Sequence, residues 1–321
     1  MSDRALLARL CRGPASGAEL AAGLGITRSA VWKRIEVLRA AGVDVQAVPG
    51  RGYRLARPLE LLDAPGIASA LSPAARAGLA AIDVLFETDS TNAEALRHPA
   101  PVRGTRAWLA ERQTAGRGRR GRDWSTPLAA QVALSLSRRF DAGVAALQGL
   151  SLAVGVAAAE ALHGLGYADV GLKWPNDLLA RGRKLGGILV ELRGDAAGPL
   201  QVVVGLGLNV CMPVAAEQAI DQPWCDLASL SPQPPSRQAT CVALLDALLP
   251  LLARFETEGL APWRDGWRRF DLLAGRPVRL HEGARVLEGI ALGVDADGAL
   301  RLRTDHGEHL CHAGEASLRV A

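Results

Sequence analysis

Apolar and polar positions alternate with a helical period through much of the first sixty residues. The apolar positions that share one helical face are Leu6, Leu7 and Leu10, and then Val31, Ile35 and Leu38. A short second helix is predicted between them, over residues 18–23, and Gly25 suits a turn with positive φ. Two strands are predicted over 43–48 and 53–55, joined by a Pro-Gly-Arg-Gly loop. Three helices and a β-hairpin predict a winged helix-turn-helix over residues 1–60.

The pattern changes twice further along the chain. Residues 61–80 are predicted to be a linker with a helical piece, and residues 81–272 alternate strand-like and helix-like segments, which indicates a mixed α/β domain. The predicted strands are 82–86, 107–111, 132–136, 171–173, 188–192 and 202–206, and the predicted helices are 90–96, 147–164 and 240–258. Residues 273–321 contain short runs separated by turns such as Asp295-Ala-Asp-Gly298, which predicts a small β-barrel. The fold class is therefore α+β.

Composition places the chain among proteins of a reducing compartment. The five cysteines are scattered, odd in number and contain no C-x-x-C pair. We therefore expect no disulfide framework and predict a cytoplasmic location. The most membrane-like stretch, residues 144–162, contains Gln148, Ser151 and Glu160. We predict that it is a buried helix, and no membrane partner is expected.

The positive charge is concentrated at the amino-terminal end. Residues 1–60 hold ten Lys and Arg against five Asp and Glu, whereas the remainder holds 27 against 28. Such a basic segment is typical of nucleic-acid binding, although a solvated basic surface or a trihelical protein-interaction module has the same composition. The candidate DNA contacts are Arg28, Ser29, Lys33 and Arg34 on the third helix, and Arg51 at the tip of the wing.

The most specific motif is an arginine–glycine loop, residues 113–124, which reads Q-T-A-G-R-G-R-R-G-R-D-W. Glycines allow close approach of a ligand, and guanidinium groups bind phosphate and carboxylate, so the loop suits a polyanion. We expect it to be mobile when empty and ordered when occupied, with a matching change in protease sensitivity. The G-x-G-x-x-G spacing does not open a helix, which excludes a Rossmann fingerprint, and no kinase signature follows. The alternative is a disordered basic loop.

Four further motifs are weak individually. They are Asp89-Ser-Thr-Asn92, Lys173-Trp-Pro-Asn-Asp177, Lys184-Leu-Gly-Gly-Ile-Leu-Val-Glu191 and Gly205-Leu-Gly-Leu-Asn209. Each places polar groups, small residues or a lysine at a strand end or turn, where binding sites are common, but each is also explained by a helix cap or an Asx turn. The spacing His306-x-x-His309-x-x-His312, with Cys311, is that of a metal cluster. In a strand, a spacing of three places successive histidines on opposite faces, so no metal site is expected.

In order and spacing the five motifs resemble those of the biotin–protein ligases, specifically the bifunctional type that also represses biotin synthesis. The resemblance covers nearly the whole chain, from the winged helix to Ser317-Leu-Arg319. It implies a central domain like the class II synthetases and an SH3-like barrel at the carboxyl end. It also implies ATP-dependent formation of biotinyl-5′-AMP, with Mg²⁺ accompanying the ATP, and transfer of biotin to a lysine of biotin carboxyl carrier protein.

The resemblance also assigns roles to residues. It implies that Lys184, Arg119 and Arg120 are catalytic. It implies a biotin site formed by Ser90, Thr91, Asn92, Gln113, Arg117, Gly118, Arg119 and Lys184, and an adenylate site formed by Arg119, Arg120, Arg122, Asn176, Asp177, Asn209 and Trp224. In addition it implies operator DNA as a partner and a homodimer formed when biotinyl-AMP binds.

One stretch departs from the family pattern. The family often has F-x-A-N-L-Y after the loop tryptophan, whereas residues 128–133 read L-A-A-Q-V-A, which leaves the wall of the biotin pocket undefined. Two other functions stay open. One is a lipoate-type ligase, and the other is a repressor that senses a small molecule without catalysis. Retention of Lys184 and of all four loop arginines argues against the second.

Overall fold

The computed structural model describes residues 3–213, 220, 222–233, 235–282, 285–312 and 316–320. Within them the chain forms a two-stranded, a seven-stranded and a five-stranded sheet, in that order along the sequence. Helices precede the first sheet and flank the second. The predicted α+β class is confirmed.

The amino-terminal part has three helices and a hairpin. Its elements are α1 (Asp3–Cys11), α2 (Gly17–Leu24), α3 (Arg28–Ala40), β1 (Val45–Val48) and β2 (Gly52–Leu55). Ser16 and Glu19 form a capping box that begins α2, and Thr27 caps α3 by accepting from the Ala30 amide. Gly25 ends α2 with a φ of 63°, as its position in the sequence predicted. The predicted winged helix-turn-helix is confirmed.

The seven-stranded sheet is the centre of the molecule. Its strands are β3 (Leu79–Leu85), β4 (Thr105–Ala110), β5 (Gln131–Phe140), β6 (Val170–Lys173), β7 (Asp177–Ala180), β8 (Arg183–Gly194) and β9 (Leu200–Asn209). Their order is β3-β4-β5-β9-β8-β7-β6, with only the β3–β4 pair parallel. Two short helices, α4 (Ala64–Ala70) and α5 (Pro73–Gly78), lead into it from the amino-terminal part.

The two faces of the sheet differ in character. Along β5, Val132, Leu134 and Leu136 belong to the main hydrophobic cluster. Helices α7 (Leu150–Gly164), α8 (Arg237–Glu258) and α9 (Arg264–Phe270) contribute buried side chains to the same cluster. The alternate positions of β5 carry small or polar side chains and face helix α6 (Thr91–Arg97). This second face holds the cavity described below.

Two helical segments are long and apolar enough to cross a membrane, 144–164 and 237–258. Ten residues of α7 and ten of α8 are nevertheless buried in the described structure. The first segment is interrupted by Gly149, which has a φ of 74° and makes α7 begin at Leu150. Packing therefore accounts for the hydrophobicity of both helices, as predicted for the first.

A buried ion pair joins α8 to the sheet. Arg237 on α8 donates to the carboxylate of Glu111 at 2.7 Å, and the two side chains are 3% and 0% exposed. Arg237 also donates to the main-chain oxygens of Glu60 and Gln131, and Glu111 accepts from the Leu62 amide. The pair thus ties the segment before α4 to the first residue of β5.

The carboxyl-terminal part is an antiparallel sheet of five strands. They are β10 (Pro277–Glu282), β11 (Arg285–Val294), β12 (Leu300–Thr304), β13 (Gly307–Cys311) and β14 (Ala316–Val320), in the order β13-β12-β11-β10-β14. The turn at Asp295 forms as predicted, with its carboxylate accepting from the amides of Asp297 and Ala299. Trp174, after β6, donates its indole N–H to Gly298 and connects this sheet to the central one.

Two elements of the central part were not predicted. Strand β7 consists of only four residues between two turns. Helix α9 has seven residues and lies directly after a 3₁₀ turn. Both are too short for their periodicity to be distinguished from a loop. The predicted strands 188–192 and 202–206 are longer in the structure, at Arg183–Gly194 and Leu200–Asn209.

Candidate active site

A cavity of about 620 Å³ lies on the polar face of the central sheet. Strands β5, β8 and β9 form its floor, the start of α6 forms one end, and the arginine–glycine loop lies along its side. Most residues assigned from the sequence line this one cavity: Ser90, Thr91, Asn92, Gln113, Arg117, Gly118, Arg119, Arg120, Arg122, Asn176, Asp177 and Lys184. Five motifs spread over a hundred residues are therefore brought together.

Glycines in the floor make room for the side chains above them. A Cβ on Gly205 would lie 2.3 Å from Oδ1 of Asn92, and a Cβ on Gly207 would lie 2.6 Å from the indole of Trp124. Gly187 lies in register with Gly207 and is covered by the end of the Lys184 side chain. Gly205 and Gly207 are thus required by the close approach of functional side chains.

The end of the cavity at α6 is lined by neutral polar groups. Ser90 caps α6, and Thr91 donates its amide to Oε1 of Gln113 at 2.8 Å. The side-chain amide of Gln113 donates to the hydroxyl of Thr126 at 3.1 Å. The hydroxyl of Ser135 lies 2.7 Å from that of Thr91. The side chains of Ser90, Thr91, Gln113, Thr126 and Ser135 are uncharged and offer both donors and acceptors, which suits a neutral ligand.

Asn92 is buried beneath this network. Its side-chain amide donates to Glu191 at 2.7 Å and to the Leu189 oxygen at 3.3 Å. Glu191 in turn pairs with Arg117 of the loop at 3.3 Å. Asn92 therefore supports the wall and connects α6 with the loop.

A cluster of three charges occupies the middle of the cavity. Nζ of Lys184 lies 2.8 Å from one oxygen of Asp177, and Nζ of Lys173 lies 3.5 Å from the other. Lys184 also lies 5.6 Å from the ring centroid of Trp124, within cation–π range. All three charged side chains are at least three-quarters buried. Their summed formal charge of one positive unit suits an anionic ligand.

A β-bulge directs Lys184 into the cavity. The β7–β8 register runs Asp177↔Gly187 and Leu178↔Gly186, and then shifts so that Leu179 pairs with Lys184. The residue that is passed over, Leu185, is fully buried. Without the shift, the alternation of the strand would place Lys184 on the opposite face.

The arginine–glycine loop is a narrow hairpin. Its two sides are joined by the Gly118 amide donating to Arg122 and by the Trp124 amide donating to Gly116. Arg119 is half-buried and donates to Oδ1 of Asn176 at 3.3 Å. Burial, followed by the charge of Arg120, lowers the pKa of Arg119 from its ordinary value, yet a guanidinium stays charged at neutral pH. The loop therefore presents fixed positive charge beside the lysine.

Two assigned residues lie outside this cavity. Asn209 is 3% exposed and is held by Gln131, which donates to its Oδ1 at 2.7 Å. Trp224 lines a neighbouring cavity of about 390 Å³, together with Arg183, Met212 and Asp226. The two cavities share Gln222 and Pro223. The main chain of Trp224 pairs with Lys184, so this second cavity directly adjoins the charged cluster.

Gln131, in the stretch that departs from the family pattern, lies between Trp124 and Asn209. Its Oε1 accepts from the indole N–H of Trp124 at 3.1 Å, while its Nε2 donates to Asn209. Leu128, the first residue of the departing stretch, packs in the amino-terminal hydrophobic cluster, and its amide donates to Ala41. Ala133, the last residue of the stretch, lines the main cavity. The stretch that departs from the family pattern therefore forms part of the cavity wall at Ala133 and contacts the amino-terminal part at Leu128.

The candidate DNA contacts lie on exposed surface with one exception. Arg28, Ser29 and Lys33 are exposed on α3, and Arg51 is exposed at the β1–β2 turn. Arg34 instead pairs with Asp3 of α1 at 2.8 Å, and both side chains are about 30% exposed. Trp32, which the sequence analysis did not single out, is 55% exposed beside Lys33.

The residues of the metal-like spacing do not converge. His309 lies in β13, with His306 before it in the turn and His312 after it. Across the described ranges, no group of three or more His, Cys, Asp or Glu side chains is arranged to hold a metal ion.

Three protein-family models match the chain. An HTH domain matches residues 4–54, the biotin/lipoate A/B protein ligase family matches residues 84–209, and the biotin protein ligase C-terminal domain matches residues 274–319. These matches follow the three sheets described above and identify the cavity-bearing part as a ligase domain.

Individual relatives are similar over nearly the whole chain. The bifunctional ligase/repressor BirA of Escherichia coli is 41% identical over 98% of this chain and 97% of that protein. The protein of the same name from Salmonella typhimurium is 42% identical over 95% and 93%. The structure of the biotin protein ligase from Aquifex aeolicus in complex with biotin and ATP is similar with a TM-score of 0.65 and 27% identity. That similarity covers 75% of this chain and 100% of the other. The chain belongs to the biotin protein ligases, and within them to the bifunctional ligase/repressor type.

Proposed function

We propose that the main cavity joins biotin to AMP and that the resulting biotinyl-5′-AMP donates biotin to a lysine of biotin carboxyl carrier protein. The observation that carries the proposal is the set of groups that line one cavity. Neutral polar side chains, a buried lysine pair and four loop arginines all line it. Biotin needs neutral partners for its ureido ring and positive charge for its carboxylate, and ATP needs positive charge for its phosphates.

The neutral end suits the ureido ring, which offers two N–H donors and one carbonyl acceptor. Thr91 and Gln113 supply hydroxyl and amide groups there, and Ser90 lies beside them. A charged group at this end would lose hydration without gaining a partner, so neutral groups are the favourable choice. The polar network therefore fits biotin better than lipoate, whose dithiolane ring has no N–H.

The charged middle of the cavity suits the reaction. An oxygen of the biotin carboxylate attacks the α-phosphorus of ATP, a new P–O bond forms, and pyrophosphate leaves with the electron pair of the broken P–O bond. Lys184 neutralises the carboxylate as it approaches the phosphates, and the held position of Arg119 beside Asn176 places positive charge where the leaving group develops charge. Arg120 and Arg122, exposed on the loop, extend this charge along the cavity mouth.

The second step is an acyl transfer. The neutral amine of the carrier lysine attacks the carbonyl carbon of the mixed anhydride, and AMP leaves with the electron pair of the C–O bond. Trp224 lines the adjoining cavity and offers an aromatic face for the adenine, while Asp177 and Asn176 line the main cavity.

Mg²⁺ fits this site as a companion of the triphosphate. The Asp177 carboxylate is committed to two lysines, and the Oδ1 of Asn176 accepts from Arg119, so neither forms an acidic cage. A Mg²⁺ that takes most of its oxygen ligands from phosphate and water would match that donor set. Asp177 and Asn176 would be the protein oxygens that hold it, in exchange for a lysine or arginine contact. When bound, it would neutralise phosphate charge.

The amino-terminal part supports the repressor role. In the proposed division, residues 1–60 bind operator DNA, 61–80 connect, 81–272 catalyse and 273–321 form the small β domain. Arg28, Ser29 and Lys33 lie on one exposed helix face, and Arg51 on the wing can reach the phosphate backbone. Arg34 would need to leave Asp3 in order to contact DNA. We include a cytoplasmic location and a homodimer formed on biotinyl-AMP binding in this proposal.

Pyrophosphate release tests the ligase assignment against its rivals. The purified protein with ATP and Mg²⁺ should release pyrophosphate with biotin and not with lipoate. Lys184→Ala should reduce the rate at least tenfold, whereas Arg181→Ala, which removes an exposed charge in the same hairpin, should not. Release with lipoate alone would support a lipoate-type ligase. Biotin binding without any release would support a repressor that only senses its ligand.

A further inference from the structure

A buried hydroxyl lies under the neutral end of the cavity. Ser135, in the middle of β5, is 0% exposed. Its Oγ lies 2.6 Å from Oδ1 of Asn92 and 2.7 Å from Oγ1 of Thr91. Because it cannot touch a ligand, any effect it has on binding must pass through those two residues.

The direction of each hydrogen bond follows from counting protons. Nδ2 of Asn92 donates to Glu191 and Leu189, so its Oδ1 faces Ser135. An amide oxygen only accepts, and the single proton of Ser135 therefore goes to Asn92. Oγ1 of Thr91 is also placed to accept from Ser135, but one proton cannot serve both oxygens, so the Thr91 hydroxyl can donate to Ser135 instead.

This leaves the Thr91 hydroxyl without a proton for the cavity. Oε1 of Gln113 is a second acceptor for the Thr91 hydroxyl, at 3.1 Å, and it also accepts from the Thr91 amide at 2.8 Å. In either direction the Thr91 proton is used inside the protein, so Oγ1 of Thr91 offers a lone pair to the cavity that Thr91 lines. A lone pair at that point selects ligands that carry an N–H.

We infer that Ser135 is a positioning residue for substrate recognition, which orients the Thr91 hydroxyl as a hydrogen-bond acceptor for an N–H of a cyclic urea. The inference rests on the proposed function, because it takes biotin as the ligand of this cavity. It predicts that Ser135 contributes to biotin affinity and not to ATP affinity.

The chain offers a matched control two residues along the strand. Ser137 is also 0% exposed, but its hydroxyl accepts from Gln201, which donates as well to the main-chain oxygens of Ala95 and His98. Ser137→Ala therefore removes the same atom from the same strand away from the cavity.

Steady-state kinetics of pyrophosphate release on the full chain provides the test. Ser135→Ala should raise the KM for biotin about 5- to 30-fold, the cost of leaving buried acceptors unpaired, with little change in the KM for ATP. Desthiobiotin, which keeps the urea and lacks the thioether ring, should show the same factor. Ser137→Ala should leave both KM values within about twofold, and both variants should unfold at similar temperatures.

A double-mutant cycle shows whether Ser135 acts through Thr91. In the Thr91→Val background, Ser135→Ala should raise the KM for biotin by less than half of the factor that it causes in the wild-type background. Full additivity, an equal rise in both KM values, or a Ser135→Ala variant that matches Ser137→Ala would overturn the inference while leaving the ligase assignment intact. Failure of the wild-type protein to bind biotin would overturn both.

Discussion

Replacing Arg237 with methionine should destabilise the central part of the protein strongly. Arg237 makes four hydrogen bonds from a position that is 3% exposed: one to Glu111, one to the Glu60 oxygen and two to the Gln131 oxygen. Its loss leaves the buried Glu111 carboxylate without its ionic partner, and among the described residues the Leu62 amide remains as a hydrogen-bond donor to it. Breaking a buried pair from one side costs about 3–5 kcal/mol.

Replacing both members of the ion pair should destabilise the protein less than replacing Arg237 alone. Replacing Glu111 and Arg237 together with methionine removes both charges, and apolar side chains of similar volume need no ionic partner. The double variant should therefore be more stable than Arg237→Met alone. An exposed arginine of the same helix, Arg254, serves as the control, and Arg254→Met should cost less than about 1 kcal/mol because its pair with Glu258 is on the surface.

Thermal unfolding followed by calorimetry measures these differences. At about 2–4 °C per kcal/mol for a unit of this size, Arg237→Met should lower the melting temperature by roughly 6–20 °C. The reasoning is refuted if that variant melts within about 2 °C of wild type. It is equally refuted if the double variant melts below the single one.

Three further outcomes follow from the structure. Gly205→Ala should raise the KM for biotin at least about tenfold, because its Cβ would lie 2.3 Å from Asn92, whereas Gly23→Ala, with nothing within 4 Å, should not; equal kinetics would contradict the described floor. At pH 8, Cys241 should not react with a thiol reagent until the protein unfolds, because burial raises the pKa of its thiol to about 12, and a peptide map of the labelled native protein checks this. Lys33→Ala should lower the slope of log affinity for DNA against log salt by about one, and an unchanged slope would remove Lys33 from the interface.

Some features could be read from the sequence because they depend on neighbours along the chain. The helical spacing of Val31, Ile35 and Leu38 predicted the buried face of α3, and all three are buried. Gly25 was recognisable as a turn because the effect of a positive φ is local. The arginine–glycine loop was recognisable because its composition has few other uses.

Other features depend on pairing between distant strands and could not be read. Lys184 faces the cavity because of a bulge between β7 and β8, and β7 itself was not predicted. Asn209 lies under Gln131 instead of lining the cavity, a difference decided by the register of β5 against β9. Arg34 forms an ion pair with Asp3 because α1 lies beside α3.

The sequence around Ser135 contains a pattern from which its position on the cavity side of β5 could have been predicted. Gln131, Ala133, Ser135 and Ser137 alternate along β5 with the apolar residues Val132, Leu134 and Leu136. Small and polar side chains on one face of a buried strand indicate that this face meets something other than core. Only the structure shows that it meets Thr91 and Asn92.

The central claim is that this chain activates biotin and transfers it to protein. The most direct measurement combines the purified protein with ATP, Mg²⁺, labelled biotin and a biotin carboxyl carrier domain, in parallel with Lys184→Ala and Arg181→Ala. The account predicts label on the carrier with wild type and Arg181→Ala, and a loss of at least tenfold with Lys184→Ala. If wild type binds biotin and DNA but leaves the carrier unlabelled, the catalytic claim is contradicted and the protein is a biotin-sensing repressor.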